Sequence, residues 1–237
     1  MRVLKKSSFY QITFMNHLFP INCYVYEEED SLTLIDIGTK RFTKHVLSLS
    51  KNLNKPVTRL VLTHPHRDHV AGLDYFCSSN QNPIDTFITK RDNYLLEGCF
   101  DLLDNETGPK IKGSSVKTSH KPNHFVSEGD KIGSLEVIMT PGHTPGSLSL
   151  LDRSNKVLIV GDLVQVQGGL SVAGDTRWLF PFVTMGTWSL SKCIETVEKI
   201  LNYDFDYLCC GHGDVLENPK PQLERVLVRA KSKVREV

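Results

Sequence analysis

The sequence lacks several features that would identify common protein classes. Its six cysteines are scattered without the paired spacing of a zinc ribbon, so we expect them to be reduced thiols. No apolar run approaches the length that crosses a bilayer, and the first residues carry no apolar segment typical of a secretory signal. These absences predict a cytoplasmic protein with no membrane partner.

The chain also has no large excess of positive or negative charge. The 28 Lys and Arg residues nearly balance the 27 Asp and Glu residues, which leaves a net charge of +1 over 237 residues. A near-neutral chain without a basic arm does not favour a phosphate backbone, and we therefore expect no nucleic-acid partner. The length suits one large domain, so we predict a single domain over residues 1–237.

Runs of apolar residues predict two groups of strands. The segments FYQITFM, NCYVYEE and SLTLIDIG read as strands, and KRFTKHVLSLSKN follows them as a helix. Strands return in DKIGSLEVIMT, GSLSLLDRS and KVLIVGDLV, and two helices surround the strand FDYLCCGHG near the end of the chain. This repeated order predicts an α/β fold with two sheets packed face to face and helices outside.

A less regular stretch separates the two groups of strands. The segment KRDNYLLEGCFDLLDNETG predicts one or two amphipathic helices, and the polar stretch after it has little periodicity. We interpret residues 90–125 as a cap-like insertion.

A dense polar motif directly follows a predicted buried strand. In VTRLVLTHPHRDH, the strand leads into His64, His66, Asp68 and His69 within one turn. So many imidazoles and carboxylates beside an apolar strand need partners if they are buried. Metal charge is one way to supply them.

Three later segments repeat the same design of apolar strand, glycine and polar residue. EVIMTPGH ends in His143, KVLIVGD ends in Asp162, and YLCCGH ends in His212. If the strand ends are neighbours, seven nitrogen or oxygen ligands converge, which is the number that two divalent metals with one shared ligand use. Imidazole and carboxylate without thiolate suit two Zn²⁺ ions, with Mn²⁺ or Fe as alternatives.

The motif HPHRDH, with the ordered residues His143, Asp162 and His212, resembles the signature of the metallo-β-lactamase superfamily, and LIDIGT resembles its first strand end. The resemblance implies a four-layer αββα sandwich with a dinuclear metal site at one edge. It implies three roles for the ligands and one outer position: His64, His66 and His143 at the first metal, Asp68, His69 and His212 at the second, Asp162 between them, and Asp36 orienting a ligand from outside.

The resemblance also implies an activity on a small-molecule substrate. Glyoxalase II and the acyl-homoserine lactonases share this ligand set, which indicates hydrolysis of an ester, thioester or lactone by a hydroxide that bridges two metals. Asp68 and Asp162 are the expected catalytic residues. Only about one helix follows Asp214, which argues against glutathione as the thiol, and Gln165 stands where the lactonases place a tyrosine.

An aromatic segment follows the expected bridging aspartate. We interpret it as an apolar wall for the substrate, although packing of the next helix and a surface ion pair explain the same residues equally well. The candidate substrate residues are Gln165, Arg177, Trp178, Phe180, Phe182 and Trp188.

Two other functions are compatible with the motif. Persulfide dioxygenases resemble this pattern but bind one iron, which His64, His143 and Asp162 would hold here. A non-catalytic metal-binding protein is the other alternative, and seven filled ligand positions argue against it. The sequence leaves the oligomeric state open.

Overall fold

A seven-stranded sheet forms the first half of the fold. The computed structural model describes residues 1–104 and 106–235. The first four strands are antiparallel neighbours, and each later strand joins its predecessor in parallel. In sheet order these strands are β1 (Arg2–Lys6), β2 (Phe9–Phe14), β3 (Ile21–Glu27), β4 (Leu32–Ile35), β5 (Val57–Val61), β6 (Asp85–Thr89) and β7 (His124–Val126).

A six-stranded sheet forms the second half, with the order β15-β14-β11-β10-β9-β8. Its one parallel pair is β11 with β14, which places the carboxyl ends of these two strands at the same edge. The strands β12 and β13 form a separate antiparallel pair. The bounds are β8 (Lys131–Ile132), β9 (Leu135–Met139), β10 (Leu148–Asp152), β11 (Val157–Ile159), β12 (Val164–Gln165), β13 (Ser171–Val172), β14 (Tyr207–Cys209) and β15 (Leu216–Glu217).

Seven helices lie within the described residues, and hydrogen bonds cap some of their ends. Asn54 ends α1 in the left-handed conformation and donates its N–H to carbonyls of the last turn. The Ser189 hydroxyl caps α6 by accepting from the Lys192 amide. No helix in the described ranges combines the length and apolarity of a membrane span. The helices are α1 (Arg41–Leu53), α2 (Arg67–Val70), α3 (Leu73–Ser79), α4 (Lys90–Leu96), α5 (Phe182–Gly186), α6 (Leu190–Leu201) and α7 (Lys220–Arg235).

Alternating side chains of the strands divide the core into three apolar layers. Successive residues of a strand point to opposite faces, so Leu34 of β4 packs towards α1 and α3 while Ile35 packs between the sheets. In the second sheet, Leu150 lies between the sheets and Leu151 packs towards α6 and α7. Helices, sheet, sheet and helices therefore stack in that order, which confirms the predicted αββα sandwich.

The middle of the chain, where one or two amphipathic helices were predicted, contains one helix in the described residues. Helix α4 is confirmed but stops at Leu96, because Gly98 adopts a φ of 93° that an extended helix does not allow. The described residues between α4 and β7 form neither helix nor strand. This stretch, residues 97–104 and 106–123, is called the middle loop below.

Burial between the sheets predicts the size of a stability change. Replacing Leu150 with Ala leaves a cavity in the layer between the sheets, since this side chain is fully buried. We expect a loss of about 2–5 kcal/mol in the free energy of unfolding, measured by urea denaturation. The control Leu179→Ala, at a side chain that is 86% exposed, should change it by less than about 0.5 kcal/mol. Equal effects of the two substitutions would contradict this packing.

Candidate metal centre

The HPHRDH motif lies at the carboxyl end of β5, where the chain leaves the first sheet and enters α2. His64 follows the strand directly, and His66 has the extended backbone of the residue before the helix. Asp68 and His69 then fall within the single turn of α2. The backbone approaches Gly38 so closely that a Cβ there would lie within 1.6 Å of the Asp68 carbonyl oxygen. A glycine at position 38 therefore allows this turn to pack against the end of β4.

The second sheet contributes the three remaining residues from its own strand ends. His143 lies in the loop between β9 and β10, and Asp162 follows β11. His212 follows β14, which is the parallel neighbour of β11. Each of these side chains is at least 95% buried. The structure brings all seven predicted ligand positions to one edge of the sandwich.

Hydrogen bonds fix which nitrogen of each imidazole carries the proton. Every ring has one outer nitrogen within hydrogen-bond distance of a protein oxygen, and donation to that oxygen leaves a lone pair on the inner nitrogen. The five contacts are His64 Nδ1 with Thr63 Oγ1 at 3.1 Å, His66 Nε2 with the Lys112 carbonyl at 3.1 Å, His69 Nδ1 with Asp36 Oδ2 at 2.7 Å, His143 Nδ1 with Thr187 Oγ1 at 3.0 Å, and His212 Nδ1 with the Pro20 carbonyl at 2.6 Å.

The two threonine hydroxyls act as acceptors because their own protons are used elsewhere. Thr63 Oγ1 donates to Asp36 Oδ2 at 2.7 Å, and Thr187 Oγ1 donates to the Val183 carbonyl at 2.7 Å. Each hydroxyl therefore accepts the outer N–H of its histidine.

The inner nitrogen and oxygen atoms of the site are hydrogen-bond acceptors that face one another without a donor between them. His66 Nδ1 and His143 Nε2 are 2.8 Å apart, yet both carry lone pairs and cannot hydrogen-bond to each other. The inner nitrogens of His64 and His69 and the Oδ1 atom of Asp162 are buried without any hydrogen-bond partner. Unpaired buried acceptors cost free energy, and a shared cation removes that cost. The donor set thus fits metal ions.

Asp162 lies between two groups of ligands. Its Oδ1 atom is 3.3 Å from His69 Nε2, while Oδ2 is 3.2 Å from His212 Nε2 and 3.6 Å from His143 Nε2. Asp68 Oδ2 is 3.3 Å from His212 Nε2. Three sets have donor atoms within 4.8 Å of one another: His64 with His66 and His143, Asp68 with His69 and His212, and His64 with His69 and Asp162.

The same burial separates the pKa values of the histidines. Burial and then the neighbouring His66 lower the pKa of His143 to about 3, and burial also lowers the pKa of His64 well below its ordinary value. Burial opposes protonation of His212 too, but the Asp162 and Asp68 carboxylates outweigh it and raise its pKa to about 10. Without a cation, the inner nitrogen of His212 therefore holds a second proton beside the carboxylates, and a bound cation would take the place of that proton.

Asp36 holds one side of the site in place from the end of β4. Its carboxylate accepts from the Thr63 amide at 2.8 Å, from the Thr63 hydroxyl and from His69 Nδ1. The residue has a φ of 59°, a conformation that Asp and Asn tolerate better than most residues. Its position agrees with the outer, orienting position predicted for it.

Several positioning groups had no signal in the sequence. Asp92 of α4 is fully buried, and its carboxylate accepts from the Thr144 hydroxyl at 2.5 Å and the Gly146 amide at 2.8 Å, which fixes the loop that carries His143. The desolvation of this carboxyl raises its pKa to about 7. Thr63, beside the motif, and Thr187 are the other side-chain anchors that sequence reasoning missed.

A polar seam joins the two sheets beside His212. The Asn22 amide group donates to the Cys210 and Gly213 carbonyls at 2.9 and 2.8 Å, and the Tyr24 hydroxyl donates to the Cys210 carbonyl at 2.7 Å. Both donors lie on β3, whereas both acceptors flank His212 in the other sheet. The first half of the chain therefore fixes the backbone around a residue of the second half.

A cavity of about 620 Å³ opens onto the inner atoms of the site. On one side it is lined by His66, Asp68, His143, Asp162 and His212, and the Arg67 side chain lies at its wall as well. The other side is apolar and comprises Phe19, Ile21, Ala71, Phe182, Val183 and Met185.

The middle loop covers part of this cavity. Gly113 and Ser114 line it, and the Ser114 carbonyl accepts from the Arg67 amide at 2.8 Å. The Lys112 carbonyl, in the same loop, is the anchor of His66. The loop thus contacts the site through backbone atoms.

Among the six candidate substrate residues, Phe182 lines the cavity and the other five lie elsewhere. The Gln165 amide group donates to the carbonyls of Gln167 and Phe180, which fixes its own loop. Trp178 is 92% exposed and lies outside the cavity lining.

The remaining three candidates make packing or backbone contacts. Arg177 Nε donates to the Leu170 carbonyl at 3.0 Å. Phe180 is buried, with its ring 5.2 Å from the His212 ring, so it packs behind the site. The Trp188 indole is buried and donates to the Pro109 carbonyl. Phe19, which sequence reasoning missed, lines the cavity beside Phe182.

Comparison with known sequences identifies related proteins over most of the chain. A model described as the metallo-beta-lactamase superfamily matches residues 18–212. The Bacillus subtilis (strain 168) protein YobT is 38% identical over 232 residues, which cover 98% of this chain and 99% of that protein. The Haemophilus influenzae hydroxyacylglutathione hydrolase GloC is 26% identical over 212 residues, covering 82% of this chain and 86% of that enzyme.

Solved structures share the fold at low sequence identity. The DIM-1 metallo-beta-lactamase superposes with a TM-score of 0.71 and 19% identity, covering 98% of this chain and 97% of that one. TTHA1623, solved in a di-iron-bound form, gives a TM-score of 0.66 and 20% identity, covering 90% and 96% of the two chains. These likenesses establish the architecture.

The role of Asp36 predicts an effect on metal affinity. An amide at this position keeps the shape of the side chain but is a weaker hydrogen-bond acceptor for His69 and Thr63. We therefore expect Asp36→Asn to weaken metal binding by about 10- to 100-fold in a titration against a competing chelator. Asp104→Asn, at an exposed carboxylate, is the control. Unchanged affinity in Asp36→Asn would contradict the orienting role.

Gly113 offers a second test of the site. A Cβ at this position would lie 1.8 Å from His66 Nε2, so Gly113→Ala must displace either the imidazole or the middle loop. We expect weaker metal binding and a changed imidazole environment in NMR spectra. Gly98→Ala introduces a side chain at a similar positive φ with nothing within 4 Å, and it separates backbone strain from the collision. Equal metal affinities in the two variants would refute the contact.

Proposed function

This chain belongs to the metallo-β-lactamase superfamily, and from that premise we propose that it is a metal-dependent hydrolase of an ester, thioester or lactone. The observation that carries the proposal is a set of buried, unpaired nitrogen and oxygen acceptors that faces a cavity with an apolar wall. The GloC relative, named as a hydroxyacylglutathione hydrolase, supports a hydrolytic reaction.

Two metal ions would be held by the seven residues in the roles that the resemblance implies. His64, His66 and His143 form one group, Asp68, His69 and His212 the other, and Asp162 lies between them. Zinc is the proposed metal, because the ligands are imidazole and carboxylate without thiolate, and manganese or iron suits the same donors. Such a pair supplies a Lewis acid for the carbonyl oxygen and lowers the pKa of a water molecule.

The protein's own residues would bind and orient the substrate around that chemistry. The Asp68 side chain is about one-quarter exposed and lines the cavity, so its carboxylate is available to accept a proton from a water molecule. The apolar wall around Phe19 and Phe182 would hold the acyl group and exclude water from it. Arg67 would contact an anionic part of the substrate.

We further propose that residues 1–237 act as one domain and that residues 90–125, which include the middle loop, form its cap. The loop touches the site at His66 and Arg67, so its position limits the size of the group that enters the cavity.

A substrate panel tests the proposed reaction. Purified protein loaded with zinc, manganese or iron should hydrolyse at least one member of a panel of esters, thioesters and lactones. Chelation should abolish the activity, and re-addition of metal should restore it. Inactivity on the whole panel would contradict the proposal. One bound iron per chain with oxygen uptake on glutathione persulfide would favour a dioxygenase instead.

Substitution of Asp162 tests the shared ligand. Asp162→Ala removes the carboxylate that lies between the two ligand groups. We expect kcat/KM to fall by at least about 100-fold and the metal content to fall below two ions per chain, measured by elemental analysis. The matched control Asp104→Ala should retain both. Full activity in Asp162→Ala would contradict the assignment of this residue.

A further inference from the structure

A second cavity, of about 470 Å³, lies beside α1 and α3, apart from the metal-ligand cluster. Its lining includes the cations of Lys40, Arg41 and Lys44 and the imidazole of His45, together with the apolar or aromatic side chains of Phe14, Leu47 and Tyr75. No carboxylate of the described residues forms an ion pair with these three cations. We call this feature the basic cavity.

The charges of the basic cavity favour an anion of more than one charge. Three cations that line one cavity repel one another, and an anion bound among them offsets that repulsion. The Arg41 guanidinium carbon lies 5.1 Å from the centre of the Phe14 ring, so the side chain is held by the aromatic face. A planar guanidinium held in this way is suited to phosphate oxygens.

The apolar and aromatic side chains in the lining of the basic cavity indicate that the same ligand carries a flat or apolar part. Tyr75 is half-exposed and lines the cavity together with Phe14 and Leu47. An inorganic anion would contact the cations and leave these apolar side chains exposed. An organic phosphate with an aromatic base would cover both.

Two short connections join the basic cavity to the catalytic cavity. Gly38 lines the catalytic cavity and Lys40, two residues later, lines the basic cavity. Ala71 lines the first cavity and Tyr75, four residues later, lines the second. Since the two residues from Gly38 to Lys40 span at most about 7 Å, the walls of the two cavities are close neighbours. This proximity is the arrangement that one extended ligand with a part in each cavity requires.

We propose that the basic cavity binds the phosphorylated, base-bearing end of a thiol carrier whose acyl thioester lies at the metal-ligand cluster. This inference rests on the proposed hydrolase function and selects thioesters from its three substrate classes. Hydrolysis forms a bond between the carbonyl carbon and the water oxygen and breaks the carbon–sulfur bond. One water proton goes to the leaving sulfur and the other is released, which gives a thiol and a carboxylate.

Direct binding tests the anion site without any turnover. Adenosine 3′,5′-bisphosphate, titrated calorimetrically into the full chain at low ionic strength, should bind saturably and more weakly as salt is added. The double variant Lys40→Ser/Lys44→Ser should weaken binding on the order of tenfold, since both side chains are exposed. Lys51→Ser/Lys90→Ser removes two exposed cations outside the cavity and should bind like the original protein.

A substrate comparison tests the link to the thioester. For one acyl group, kcat/KM should be about tenfold higher for the coenzyme A thioester than for the pantetheine thioester, and Lys40→Ser/Lys44→Ser should reduce that ratio. An equal kcat/KM for both, or bisphosphate binding insensitive to the lysines, would overturn the inference. Saturable bisphosphate binding without hydrolysis of any acyl compound would contradict the hydrolase and leave the anion site standing.

Discussion

The site depends on one constraint: the outer nitrogen of every histidine is tied to a protein oxygen. With the protons directed outwards, the inner nitrogens of the neutral imidazoles and the two carboxylates are left as acceptors. The αββα sandwich makes this possible because the strand ends of both sheets meet at one edge. Some of the anchoring groups come from elements that carry none of the seven residues, such as α4 through Asp92 and the middle loop through Lys112.

The sequence allowed the convergence of the seven candidate residues to be predicted, because each lies in a loop that follows an apolar strand, and both features are local. The layer order was predictable for the same reason, since alternation in strands such as β10 assigns a face to each side chain. The anchors of His66 and His212 were not predictable, because they are backbone carbonyls at Lys112 and Pro20 and any residue type can provide them.

Which of the apolar residues beside the site line the cavity could not be predicted, for a different physical reason. Phe180 and Phe182 are two positions apart and chemically identical, yet the first packs behind His212 and the second lines the cavity. Burial against protein and burial against a ligand favour the same side chains, so composition does not distinguish them. The end of a helix was hard to predict as well. The amphipathic pattern continues past Gly98, but the positive φ of this residue ends α4 before it.

The seam of Asn22 and Tyr24 beside His212 has a consequence for how the protein matures. Neither half of the chain contains all seven proposed ligands, and the backbone around His212 is hydrogen-bonded to β3. If these residues hold the metal, high-affinity loading comes after the two sheets have docked. A nascent chain emerging from the ribosome would pass through a metal-poor stage, and ion capture would mark the end of assembly.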